Sequence, residues 1–207
     1  MKRLGSIFNL FALAAVFILG ACANYDTRLT SQTSYLGHGG PVIDPSTKEN
    51  LALRKSYWDG EGIEGAPSIV INLSKQTATF YKGDRMVGVS AISSGREGHD
   101  TPPGSYKIIK KEIDHHSNLY GDFVDANGTV VVKNVSAIDD KAKCPPGAKF
   151  LGASMPYFMR LTNSGVGMHQ GYLPGVADSH GCIRMPEKLV KIYWDSAPVG
   201  TPVTIVN

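Results

Sequence analysis

P-S-I-V-I-N-L-S-K-Q-T-A-T-F-Y-K, residues Pro67 to Lys82, is the stretch that decides the fold class. Ser68 to Leu73 is rich in β-branched side chains, and Thr77 to Lys82 alternates polar with apolar. Ser74-Lys75-Gln76 between them suits a tight connection, so the segment predicts a hairpin. Gly83-Asp84 then turns into a third strand, Arg85 to Ile92. Further strands are predicted at Tyr106 to Lys110, at Thr129 to Lys133 after the Asn127-Gly128 turn, at Phe158 to Thr162 and at Val203 to Val206. One helix is convincing: Pro186 suits a first helical position, and Leu189, Val190, Ile192, Tyr193 and Trp194 form an apolar face. Glu187, Lys188, Lys191 and Asp195 cover the other side. Many short strands with a single C-terminal helix predict a mainly β sandwich, not a doubly wound α/β fold. Asp114 to Gly128 and Ala137 to Ala153 read as long loops that shape a groove.

Upstream of Pro67 the pattern changes. Lys2 and Arg3 precede an uncharged apolar run, Leu10 to Leu19, which is too short for a bilayer span of about 20 residues and reads as an export signal. The run ends in Leu19-Gly20-Ala21-Cys22, which resembles the lipobox of bacterial lipoproteins. That resemblance implies a signal peptide over residues 1–21, cleavage before Cys22, and lipidation of Cys22 as a membrane anchor. Several acyl chains together hold stably where one alone is marginal. Ala23, being other than Asp, implies delivery to the periplasmic face of the outer membrane in a two-membrane bacterium. Residues 22–66 read as the lipidated N-terminus and a polar tether, with a short ordered segment at Leu51 to Trp58. Residues 67–207 form the folded domain.

The net charge of +3 comes with no dense Lys/Arg stripe, so a dedicated nucleic-acid binder is not indicated. With Cys22 lipidated, Cys144 and Cys182 remain. They either pair or leave at least one thiol for chemistry. His99, His115, His116, His169 and His180 show no H-E-x-x-H spacing, no C-x-x-C is present, and His115-His116 read as an exposed loop, so no metal site is assigned.

The chemistry concentrates in M-H-Q-G-Y-L-P-G-V-A-D-S-H-G-C-I-R-M, Met168 to Met185. Cys182 fits a thiolate nucleophile and His169 its base, set on two strand ends joined by a loop. The N–H groups of Gly181 and Cys182 are candidate donors to an oxyanion. Ser179-His180-Gly181-Cys182-Ile183-Arg184, preceded by His169, resembles the signature of the L,D-transpeptidase catalytic domain family. A second segment supports it: Ser93-Ser94-Gly95 followed by Thr101-Pro102-Pro103-Gly104-Ser105-Tyr106 is similar to the family's S-x-G…T-P-x-G-x-[FY] pattern. The resemblance spans residues 67–207 and implies a β sandwich of mixed sheets with a C-terminal helix.

For activity it implies a peptidoglycan acyltransferase that needs no cofactor. Cys182 would attack the carbonyl of residue three of a tetrapeptide stem, release D-alanine and pass the acyl group to an amine, giving a cross-link or an attached protein. His169 would accept and return the proton, oriented by a backbone carbonyl near the S-H-G turn. His169-Gln170-Gly171 departs from the more common H-G sequence, which bears on how that loop is placed. Candidate substrate contacts are Arg184, Ser179, His180 and Tyr172. For Arg184 a structural ion pair competes with a substrate carboxylate, for His180 a structural hydrogen bond competes with a substrate contact, and for Tyr172 the competitor is packing. Asp178 reads as a turn residue rather than a triad acid. Two rivals keep the fold. A hydrolase would pass the acyl group to water with the same Cys and His, and a non-catalytic lipoprotein would merely bind the wall.

Overall fold

A computed structural model describes residues 56–207. The export signal, Cys22 and the tether up to residue 55 lie outside these described residues. The chain forms β1 (Tyr57–Trp58), β2 (Pro67–Asn72), β3 (Thr77–Lys82), β4 (Arg85–Ala91), β5 (Gly104–Lys107) and β6 (Lys110–Val124). It continues through β7 (Val130–Ser136), β8 (Lys149–Arg160), β9 (Gly167–Gln170), β10 (Ile183–Met185), helix α1 (Glu187–Ser196) and β11 (Pro202–Val206). Two sheets result, with strand orders β1-β4-β3-β2-β11-β5 and β10-β9-β8-β6-β7. Both are mixed: β2–β11 and β9–β10 are parallel, and the other pairs are antiparallel.

The hairpin forms as its sequence predicts, with Pro67 opposite Lys82 and Asn72 opposite Thr77. Alternate side chains Ile69, Ile71, Ala78 and Phe80 point into the core, where β11 adds Val203 and Ile205 beside them. Full burial of each large side chain is worth about 1.5–3 kcal/mol. Helix α1 covers this layer through Leu189, Val190 and Tyr193. Phe80 meets Tyr193 edge-on at 5.0 Å and Trp58 at 5.1 Å, and the Tyr193 hydroxyl donates to the Ala78 carbonyl at 2.8 Å. Trp58, at the end of the short ordered segment read at Leu51 to Trp58, thus packs against the core. Pro186 sits one residue ahead of the helix, in extended conformation.

The first predicted groove loop, Asp114 to Gly128, is instead largely strand, whereas Ala137 to Ala153 is irregular until β8 begins at Lys149. β6 and β8 run as a long antiparallel pair from Lys110 opposite Arg160 to Val124 opposite Lys149. Much of β6 before Gly121 is solvent-exposed, so its sequence K-K-E-I-D-H-H-S-N-L-Y carries no apolar alternation. The backbone ladder, rather than a buried face, holds it. His115 and His116 therefore lie on a strand, not in a loop. The ladder is broken once. From His116 to Gly121 β6 advances five residues while β8 goes only from Ser154 to Gly152, so Ser117–Tyr120 bulges outward. The Ser117 hydroxyl accepts the N–H groups of Leu119 (3.2 Å) and Tyr120 (3.0 Å) and closes the bulge as a turn.

The bulge depends on two glycines. A Cβ on Gly152 would lie 2.0 Å from the Ser117 carbonyl oxygen, and one on Gly121 would lie 2.0 Å from that of Leu151. Gly152→Ala should therefore displace the bulge and cost about 1–3 kcal/mol, the usual penalty of forced overpacking. Urea denaturation measures this, and an unchanged midpoint would show that the backbone yields without cost.

Candidate active site

β9 and β10 are short and buried, and their parallel pairing sets Ile183 beside Met168 and Arg184 beside His169. Cys182 immediately precedes β10 and His169 lies within β9, so the loop from Gly171 onward returns the chain to place both on one cleft. That cleft has a volume of about 310 Å³. Ser179, His180 and Arg184 line it with them, and Ser117 to Tyr120 of the bulge face them across it. Tyr172 is not among the lining residues.

His169 is buried. Its Nδ1 lies 2.7 Å from the carbonyl oxygen of Gln170, which can only accept, so Nδ1 carries the proton and Nε2 keeps a lone pair. The orienting carbonyl comes from the residue after the histidine, not from the S-H-G turn, and Gln170 supplies it by its backbone. Burial drives the His169 pKa from 6.5 down to about 3, outweighing that carbonyl, with the Arg184 and His115 charges acting in the same direction as burial. Burial also raises the Cys182 thiol, against a backbone hydrogen bond from Gly167 and the positive Arg184 and Arg160. The sulfur lies 3.5 Å from the Gly165 carbonyl oxygen, to which its S–H donates. The two shifts agree: the resting pair is a neutral thiol and a neutral imidazole.

The turn that carries Cys182 is wired to the second motif. Ser93 and Arg184 exchange backbone bonds of 3.0 and 2.9 Å, and the N–H groups of Asp178 and Ser179 both donate to the Ser94 carbonyl. The Arg96 N–H donates to the Ser179 carbonyl at 3.0 Å. Gly95 permits this closeness, since a Cβ there would lie 2.0 Å from the His99 carbonyl oxygen. Within the turn the Ser179 hydroxyl donates to the Cys182 carbonyl at 2.5 Å and accepts the Gly181 N–H at 3.1 Å. The Gly181 N–H is thus spent inside the turn rather than offered to an oxyanion. Gly181 has φ +107°, a left-handed value that a side chain would strain.

Arg184 is buried and pairs with Asp178, Nη1 to Oδ2 at 3.1 Å and Nη2 to the carbonyl at 3.2 Å. Asp178 is therefore the arginine's partner and not the acid of a triad. Gly171 leaves room for this side chain; a Cβ would approach the Arg184 Cγ to 2.9 Å. His180 faces the cleft mouth, where Arg96 Nη2 lies 2.7 Å from its Nε2 and the rings of Tyr120 and His99 pack at 4.5 and 4.6 Å. It links the turn to the bulge. Sequence reasoning missed Arg160 and His115, which line the same cleft. His115 stacks on Phe158 at 4.2 Å, and Glu112 lies between the His115 ring and Arg160, 3.1 Å from His115 Nδ1 and 3.8 Å from Arg160 Nη2. The polar β6 sequence hid the signal of His115, and Arg160 ends β8 with no motif around it. Cys144 and Cys182 are both free thiols.

The profile of the YkuD family, described as the L,D-transpeptidase catalytic domain, matches residues 66–205. The chain is 27% identical over 180 residues to a probable L,D-transpeptidase, YbiS, of Escherichia coli K12, covering 84% of this chain and 52% of that protein. It is 27% identical over 123 residues to the probable L,D-transpeptidase 3 of Mycobacterium tuberculosis, covering 57% of this chain and 38% of that protein. The chain thus spans about half or less of the length of these curated relatives. Among solved structures, the L,D-transpeptidase of Xylanimonas cellulosilytica superposes with a TM-score of 0.50 at 21% identity, over 70% of this chain and 62% of that one. An L,D-transpeptidase, LdtMt1, in complex with imipenem superposes with a TM-score of 0.50 at 23% identity, over 68% of this chain and 59% of that one. At these identities the likeness concerns the fold.

A neutral resting pair has a measurable signature. Alkylation of Cys182 by a small electrophile should climb with pH without levelling until above the ordinary thiol range near 8.5. The His169 ring should keep its neutral NMR signature down to about pH 3. Because an unfolded histidine titrates near 6.5, this residue's contribution to stability is intact above that pH and is lost as pH falls towards 3. An alkylation rate already level at pH 7 would mean a thiolate–imidazolium pair instead.

Proposed function

The chain belongs to the L,D-transpeptidase catalytic domain family, and from that premise we propose that it is a cysteine acyltransferase acting on peptidoglycan stem peptides. One observation carries the reading: Cys182 and His169 share a cleft, and the Gln170 carbonyl at 2.7 Å leaves His169 Nε2 as the acceptor. The family acts on peptidoglycan stem peptides, and Arg160, which lines the cleft, carries a guanidinium that suits a donor bearing carboxylates.

The reaction begins from the neutral pair. As a stem peptide fills the cleft, His169 Nε2 takes the thiol proton while Cys182 Sγ bonds to the carbonyl carbon of stem residue three. The carbonyl electrons move to oxygen, and the Cys182 N–H donates to it; the Gly181 N–H, held by Ser179, is not needed. The C–N bond to D-alanine breaks as the imidazolium returns its proton to the leaving amine. A thioester remains. An amine from a second stem then attacks it, His169 takes that amine's proton, and the thiol is restored. The close pair of low His169 and high Cys182 pKa means that the ion pair exists only along the reaction path.

Purified protein incubated with labelled tetrapeptide muropeptides, with products read by mass, tests the reading. Wild type should release D-alanine and give a cross-linked product, Cys182→Ala should give none, and His169→Gln should be slower by about 10²–10⁴-fold. Products carrying water in place of the amine would make it a hydrolase, and bound but unchanged substrate would make it a wall-binding protein. The sequence Leu19-Gly20-Ala21-Cys22 supports export and lipid anchorage at Cys22, at the outer membrane. Wild type should then fractionate with membranes, and Cys22→Ser should stay uncleaved by the lipoprotein signal peptidase. A soluble wild type would remove the anchor from the reading and leave the chemistry intact.

A further inference from the structure

Of the buried hydroxyls in the S-x-G…T-P-x-G segment, that of Thr101 bonds directly to the turn that carries Cys182. Thr101 is 2% exposed, and its Oγ1 donates to the Gly181 carbonyl at 2.8 Å while accepting the Gly95 N–H at 2.9 Å. We propose that Thr101 is a positioning residue that aims the Cys182 N–H at the developing oxyanion by holding the Gly181 carbonyl. The inference rests on the acyltransferase reading and adds a residue to it.

The argument is one of peptide geometry. The described residues contain no cis peptide, so the Gly181–Cys182 bond is planar and trans, with its C=O and N–H on opposite sides. Fixing the carbonyl direction therefore fixes the N–H direction. Thr101 lines a separate hollow together with Gly95 and Asp100, whereas Cys182 lines the catalytic cleft. A carbonyl drawn towards the first sends the N–H the other way. Gly181, at φ +107°, is the residue whose backbone would otherwise rotate most freely. The plane on the far side of Cys182 is held independently by the Ser179 hydroxyl on the Cys182 carbonyl. The Gly95 N–H occupies a lone pair of Thr101 Oγ1 and so directs the hydroxyl proton to Gly181. Because Ser179 consumes the Gly181 N–H, the Cys182 N–H is the donor this turn can present, and its direction matters more than if two were available.

Two reactions of Cys182 separate this role from simple support of the turn. Acylation by imipenem builds negative charge on a carbonyl oxygen and needs the aimed N–H. Alkylation by iodoacetamide displaces iodide from an sp³ carbon and needs only the thiolate and access. In the full chain, with both followed by mass at the Cys182 peptide, Thr101→Val and Thr101→Ala should slow acylation by about 10–100-fold, within the range for a lost or misaligned oxyanion donor. Alkylation should stay within about threefold of wild type on the same scale. Thr101→Ser, which keeps the hydroxyl, should restore acylation. Equal losses in both reactions, undiminished acylation in the Val and Ala variants, or a Ser variant as slow as Ala would each overturn the assignment. A wild type that imipenem never acylates would instead overturn the acyltransferase reading, and this inference with it.

Discussion

Ser93 and Arg184 exchange two backbone hydrogen bonds, and the catalytic end of the molecule depends on that bridge. Ser93 lies just past β4 in the six-stranded sheet, and Arg184 lies in β10 of the five-stranded one. The bridge therefore joins the sheets two residues from the nucleophile. Everything else at the turn follows from it: Ser94 receives the N–H groups of Asp178 and Ser179, Arg96 reaches Ser179, and Thr101 reaches Gly181. The two sequence motifs, about eighty residues apart, are two halves of one clamp. Buried polar networks of this kind are costly when incomplete and specify a single arrangement when satisfied. Such an arrangement suits an oxyanion donor, which must be placed before the reaction starts.

The same burial that makes the clamp rigid sets the electrostatics. Burial disfavours both an imidazolium and a thiolate, so it lowers the His169 pKa and raises that of Cys182. Arg184 and Arg160 favour the thiolate but are outweighed by burial, whereas at His169 Arg184 acts with burial against the imidazolium. The consequence is chemical economy. A thiol kept neutral reacts slowly with adventitious oxidants and electrophiles, whose attack requires the thiolate. In the proposed reaction the nucleophile forms only as a carbonyl carbon arrives to receive the sulfur.

How much of this could be read from the residues depended on which faces are buried. Ile69, Ile71, Ala78 and Phe80 alternate because one side of their sheet is solvated, and the hairpin was legible from that pattern alone. β6 has no such face before Gly121, so its polar sequence from Asp114 onward read as a loop although it is strand as far as Val124. β9 and β10 erred in the opposite direction. They are so short and so completely buried that Gly-Met-His-Gln and Ile-Arg-Met show no alternation, and only the reactive pair gave them away. Arg184 was legible as a guanidinium but not as the partner of Asp178, since six residues of turn bring the two together. The engagement of the Gly181 N–H by Ser179 was equally invisible, because hydrogen-bond direction is a property of the turn and not of S-H-G-C as letters.

The cleft is consequently asymmetric in what its walls can vary. One wall is the Ser179–Cys182 turn, whose backbone groups are committed to Ser93–Thr101 and whose Arg184 is held by Asp178. A substitution there disturbs the nucleophile. The other wall is the Ser117–Tyr120 bulge, carried on a strand whose side chains face solvent and closed by the Ser117 hydroxyl. Its residues can change without breaking the clamp, provided that Gly121 and Gly152 remain to let the bulge pack. Its contact with the rigid wall runs through side chains, chiefly the ring of Tyr120 against His180. The buried wall thus fixes the Cys/His pair, and the exposed one leaves the shape of the cleft free to vary without rebuilding that pair.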